Sequence, residues 1–157
     1  RCASDEISGT VVVTALDVLV PFVLPKIAEV QAAHPSLTVD LVSSDRVLKL
    51  EYGEAALAFR VGPNETAPRP PYFDWLFKAV PEGAITLSTN SVASSFEAVQ
   101  AGLGIGFLPQ KTAHDTDCVP VRDPEPSWHE PIWAVTHMDL HRSSKVQAIL
   151  AVLRQQV

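Results

Sequence analysis

Residues 88–109, Ser-Thr-Asn-Ser-Val-Ala-Ser-Ser-Phe-Glu-Ala-Val-Gln-Ala-Gly-Leu-Gly-Ile-Gly-Phe-Leu-Pro, constrain the fold more than any other stretch. They read as a strand end, a capped helix, a glycine stop and a second strand. Val92, Phe96, Val99 and Leu103 recur at i, i+4, i+7 and i+11, the spacing of one apolar helical stripe. Asn90 or Ser91 is suited to cap the first free N–H groups. Gly102 stands where a left-handed residue closes a helix. The apolar run 105–108 suits a strand buried on both faces. Such a unit aims a helix N-terminus at the carboxyl ends of its strands, where small ligands and especially anions bind. The same periodicity also fits a plain packed βαβ unit whose helix start is capped by solvent.

Upstream the pattern repeats in kind. Residues 1–8 are polar, with no apolar stripe, and read as the end of a linker. Gly9-Thr-Val-Val-Val-Thr-Ala15 is a β-branched strand for a central position. Asp17 is a candidate cap for a helix over 18–31, with Val20, Leu24, Ile27 and Gln31 in its stripe and Val23 and Val30 widening it. Pro21 suits a first turn, Pro25 implies a kink or a later start, and His34-Pro35 stops the helix. Residues 37–42 form a second strand, 46–52 a short helix closed by Gly53, and 55–61 a third strand. This is the βαβαβ half of a parallel α/β sheet.

Residues 63–71 are a Pro-rich connector, and 72–80 an amphipathic helix with Tyr72, Trp75, Leu76 and Ala79 on one face. Residues 84–87, 118–122 and 132–136 read as strands. Ser143 or Ser144 caps a last helix that buries Val146, Ile149, Leu150 and Leu153.

Composition narrows the function. With 46% hydrophobic and 19% charged residues the chain is an ordinary globular one of one or two small domains. A net charge of −6 argues against nucleic acid as its own partner, because phosphate contacts need clustered Lys and Arg. Pro21 and Pro25 break the longest apolar runs, which are too short to span a bilayer, so no membrane association is expected. Cys2 and Cys118 have no metal-ligand spacing and suit free thiols of a reducing cytoplasm, although a single bridge between them is the alternative.

No G-x-S-x-G, P-loop or H-E-x-x-H motif is present, and Pro131 breaks any zinc-binding helix after His129-Glu130. His137 and His141 have the spacing of a helical metal pair, but a site needs three or more ligands. Trp75, Trp128 and Trp133 suit core or subdomain contacts better than ligand platforms. The expectation is no enzyme, no metal and no cofactor.

Three segments, in order, carry a resemblance. Ala32-Ala-His-Pro-Ser-Leu-Thr-Val-Asp-Leu41, Gly53-Glu-Ala-Ala-Leu-Ala-Phe-Arg-Val-Gly62, and Asn90-Ser91 followed by a helix and Ala101-Gly-Leu-Gly-Ile-Gly-Phe-Leu-Pro109 resemble the effector-binding domain of LysR-type transcriptional regulators. The resemblance implies two Rossmann-like α/β subdomains of the type II periplasmic-binding-protein kind, with the effector in the cleft. Residues 1–8 would end a linker, 9–61 begin subdomain I, 62–131 form an incomplete subdomain II, and 132–157 return to subdomain I. The effector contacts it implies are Leu16 and Asp17, Ser43 and Ser44, and Asn90 and Ser91, a set suited to a small polar metabolite. It further implies a cytoplasmic homodimer or tetramer paired through the helices over 18–31 and 91–101, with DNA read only by a separate winged helix-turn-helix. A solute receptor of related fold, serving transport, is the alternative; an upstream secretion signal would favour it and an upstream basic helix-turn-helix would exclude it.

The chain departs from that family near Val61, where a strand–helix–strand opening subdomain II would be expected and the flanks are instead joined directly. A βαβ unit takes about 30 residues or more. Both flanks match so closely that the unit is expected to exist in the protein and to be skipped in the sequence as read. A true deletion would leave apolar strands at open edges. Ala56 is a smaller departure, at a position where the family often has Asp.

Overall fold

The computed structural model describes residues 6–43, 50, 53–62, 70–114 and 116–154. Two compact units are present, one made of Arg1–Glu65 and Pro131–Val157, the other of Thr66–Glu130. The strands are β1 (Gly9–Ala15), β2 (Leu37–Ser43), β3 (Leu57–Val61) and β4 (Ile132–Val135). The helices are α1 (Val20–Ala33), α2 (Tyr72–Ala79), α3 (Val92–Gln100), α4 (Gln110–His114), α5 (Met138–His141) and α6 (Ser144–Arg154).

The first unit is a four-stranded sheet of order β2-β1-β3-β4. The β-branched run of β1 takes the interior position expected of it. It pairs in parallel with β2 from Gly9↔Leu37 to Ala15↔Ser43, and with β3 from Val13↔Leu57 to Ala15↔Phe59. β4 runs antiparallel on the far side of β3, Val61 facing Ile132. One face of the sheet supplies Val11, Val13, Ala15, Leu57 and Phe59 to a core closed by Val23, Ile27 and Val30 of α1 and Val146 and Ile149 of α6. Each of these Val, Leu, Ile and Phe side chains contributes roughly 1.5–3 kcal/mol by leaving water. Lys145 on α6 donates to the carbonyl of Thr10 at 3.0 Å, and Thr136 Oγ1 donates to that of Ala56 at 2.7 Å.

The start of α1 differs from the sequence expectation. Asp17 does not cap it: a 3-10 turn, Asp17–Leu19, enters the helix without a side-chain cap, and the Asp17 carboxylate instead accepts a hydrogen bond from Ser43 Oγ. The helix runs through Pro25 without a later start. Its buried face is Val23, Ile27 and Val30, reached from Leu19, while Leu24 and Gln31 are exposed. Leu19, Val23, Ile27 and Val30 form one row at helical spacing, and Val20 and Leu24 lie beside it rather than in it. His34 ends the helix as expected. The helix expected over 46–52 lies outside the described residues apart from Leu50.

The second unit keeps its expected helices, α2 and α3, but not its expected strands. Residues 84–87, 105–108 and 118–122 have no ladder partner among the described residues. Ile105 is 81% exposed and Val119 80%, and no described residue from 70 to 130 is fully buried. The reason lies in the chain itself. The full sequence of 157 residues runs directly from Val61 into the Pro-rich connector, so the expectation of a unit skipped there is not met. A strand is stabilised by its neighbours, and these residues have none among the described ones.

Candidate functional site

The parallel pairing of β1 and β2 brings their carboxyl ends side by side, with Ala15 opposite Ser43. The next residues of β1 are Leu16 and Asp17. Leu16 is half-buried against the core and its carbonyl accepts from the N–H of Leu19 at 2.8 Å, which tightens the turn. Asp17 and Ser43 are exposed and hydrogen-bonded to each other, across 26 positions of sequence. Ser44 lies outside the described residues. A carboxylate and a hydroxyl at the ends of two parallel strands offer acceptors to a ligand, and the negative charge disfavours an anion there.

In the second unit, Ser91 is the N-cap of α3. Its Oγ accepts from the N–H of Ser94 at 3.3 Å, its own N–H donates to Thr89 Oγ1 at 3.1 Å, and its carbonyl accepts from Ser95 at 3.0 Å. Asn90 precedes it and is exposed. Gly102 closes the helix at φ +75°, as its position in the sequence predicts. The implied effector residues thus form two groups, Leu16, Asp17 and Ser43 in the first unit and Asn90 and Ser91 in the second. A concavity of about 490 Å³ beside α3 is lined by Leu87, Ala93, Glu97, Ala98 and Leu103 among others, and includes neither Asn90 nor Ser91.

His137 caps the start of α5, where its Nδ1 accepts from the N–H of Asp139 at 3.3 Å. Cys118 is a half-buried free thiol, and Cys2 lies outside the described residues. Thr14 Oγ1 and Arg60 Nη2 are buried with no partner among the described residues, while Arg60 Nη1 donates to the carbonyl of Phe59 at 2.9 Å. Burial lowers the Arg60 pKa from its ordinary value.

Sequence reasoning missed an aromatic cluster in the second unit. Tyr72 stacks on Phe107 at 4.4 Å between centroids, and Phe107 meets Trp75 and Trp128 edge-on. Burial and then the charge of Glu130 raise the Tyr72 pKa, and burial raises that of Glu130. The available signal was the density of rings in 72–77. It was read as one helical face because Phe107 was assigned to a buried strand.

The fold is a mixed α/β one with a parallel-rich sheet, and solved structures share it. The reduced regulatory domain of OxyR from Pseudomonas aeruginosa aligns over 96% of this chain and 99% of its own, at 14% identity and TM-score 0.70. The regulatory domain of AphB from Vibrio vulnificus aligns over 94% and 98%, at 16% identity and TM-score 0.61. Full-length AphB of Vibrio cholerae, a virulence activator, aligns over 97% of this chain and 70% of that one, at 16% identity and TM-score 0.68. Each is a periplasmic-binding-protein-like regulatory fold. A narrower finding follows from the sequence itself: residues 66–157, more than half the chain, match the LysR substrate binding domain. The chain belongs to that family, the substrate-binding domains of LysR transcription regulators. No curated protein sequence matches it. Among the described residues no helix is long and apolar enough to cross a membrane.

Proposed function

We propose that this chain is the effector-sensing domain of a LysR-type regulator, binding a small polar metabolite through Leu16, Asp17, Ser43, Ser44, Asn90 and Ser91. The observation that carries the reading is the Asp17–Ser43 hydrogen bond at the carboxyl ends of β1 and β2. Its acceptor character favours a ligand that bears a donor group, such as an amine or hydroxyl, over a bare carboxylate. Effector binding would bias the relation between subunits, and a winged helix-turn-helix elsewhere in a cytoplasmic homodimer or tetramer would convert that bias into altered DNA binding.

A thermal-shift screen of amino acids, amino sugars and polyols against the purified chain tests the reading, followed by calorimetric titration of the hits. Hits with donor groups that lose affinity in Asp17→Asn support it. Hits confined to simple carboxylates, or an affinity untouched by Asp17→Asn and Asn90→Ala at unchanged melting temperature, overturn it.

A further inference from the structure

Trp75 on α2, Trp128 on the 3-10 turn Pro126–Trp128 and Arg122 meet at one corner of the second unit. The two indole rings lie 5.5 Å apart between centroids, inclined at 62°. The guanidinium carbon of Arg122 sits 4.9 Å from the Trp75 centroid and 5.8 Å from that of Trp128. Both distances fall within the roughly 6 Å over which a ring face attracts a cation. Glu125 Oε1 accepts from Arg122 Nη2 at 2.7 Å. Phe107 packs edge-on against both indoles, at 6.0 and 5.6 Å, and holds their angle.

One cation-sized position is therefore faced by two aromatic rings and a carboxylate. Its present occupant is open to solvent. The Arg122 side chain is 51% exposed and that of Glu125 40%, and an exposed pair three residues apart binds its cation weakly. The guanidinium belongs to the softly hydrated cations, which lose little on leaving water, unlike a bare ammonium or an alkali ion. A chain of net charge −6 adds a general attraction for positive solutes.

We infer that this corner is a receptor for a small organic cation, a guanidinium or a methylated ammonium, with Arg122 as its built-in occupant. An arriving cation takes the position between Trp75 and Trp128 and the Glu125 carboxylate, and the Arg122 side chain swings out to water. Affinity in the unaltered protein is set by this competition, and removing Arg122 opens the site.

Tetramethylammonium and choline are the probes, titrated into the 157-residue protein with tryptophan fluorescence as the readout, and the neutral carbon isostere of choline is the control. Arg122→Ala is expected to tighten choline binding about tenfold or more, with Arg122→Gln as a second opening variant should the first fold poorly. Adding Trp75→Leu to either abolishes binding, and adding Glu125→Gln weakens it. Two results overturn the inference: opened variants with unchanged circular dichroism that bind choline no tighter than the parent, or a neutral isostere that binds them as tightly as choline does.

Discussion

The indole Nε1 of Trp133 donates to the carbonyl oxygen of Gly62 at 2.7 Å, across 71 positions of sequence. This bond, with that of the Gly62 N–H to the Pro131 carbonyl at 3.2 Å, fastens the points where the chain leaves the first unit and returns to it. Gly62 is buried, so Trp133→Phe strands its carbonyl away from this donor. A loss of about 1–3 kcal/mol in urea-unfolding stability is expected. An unchanged midpoint would show that the indole bond adds nothing.

The buried row of α1 gives a paired test. Ile27 is 5% exposed inside the core cluster, and Leu24 is 48% exposed. Ile27→Ala should cost about 2–5 kcal/mol, and Leu24→Ala within about 0.5 kcal/mol of nothing. The stripe read from sequence counted both residues as buried. A large loss from Leu24→Ala in a chain shown to be monomeric would restore that stripe.

The first unit was legible for physical reasons that the second does not share. Its strands are β-branched runs whose neighbours come from the same chain, so local pattern and tertiary pairing agree at Val11, Val13, Leu57 and Phe59. In the second unit, Ile105 and Val119 carry the same apolar signal, but a strand exists only where a ladder partner is present. Caps were readable when the geometry is local, as at Ser91 and Gly102. The role of Asp17 is not legible locally, because its partner, Ser43, comes from the next strand. The aromatic corner is not legible in the sequence because ring and cation–π contacts join α2, residue 107 and residues 122–128, which no sequence period links.

Thr14 predicts a gain. Its side chain is wholly buried and its hydroxyl has no partner among the described residues, so burial costs the desolvation of that group. Thr14→Val keeps the shape and the β-branch of an interior strand residue. It should stabilise the protein by about 1–2 kcal/mol. A lower denaturation midpoint for Thr14→Val would mean that the hydroxyl makes a bond in solution.

Tyr72 and Glu130 predict a pH dependence with a defined sign. Both are acids raised in the folded protein, Glu130 above 4.5 by burial and Tyr72 above 10.0 by burial and by the Glu130 charge. For each, the neutral form is favoured by folding. The stability it supports is complete below the unfolded pKa and is lost as pH rises through the folded one. Glu130→Gln should therefore raise stability at neutral pH relative to the parent and leave it unchanged in acid well below 4.5. In a Tyr52→Phe background, an ultraviolet titration should show Tyr72 ionising later than free tyrosine, and Glu130→Gln should bring that ionisation partly back. No movement on that substitution would remove Glu130 as a cause.

The two units should differ most sharply in hydrogen exchange. Amides of β1 sit in a ladder bonded on both sides, over a core with Val13 and Ala15 at 0% exposure. Opening them requires the unit to unfold, so their protection reports its global stability. Residues 105–108 and 118–122 have no ladder among the described residues, and Ile105, Val119 and Val121 are largely exposed to water. Their amides should exchange within a few-fold of the unstructured rate, while α3, held by its Ser91 cap, shows intermediate protection. A second copy that lends strands to these segments would protect them as strongly as β1, and would do so more at high protein concentration than at low. Exchange measured across a concentration series therefore separates a second unit that stays open from one that is completed by assembly, and strong protection at every concentration would refute the unpaired arrangement of these segments.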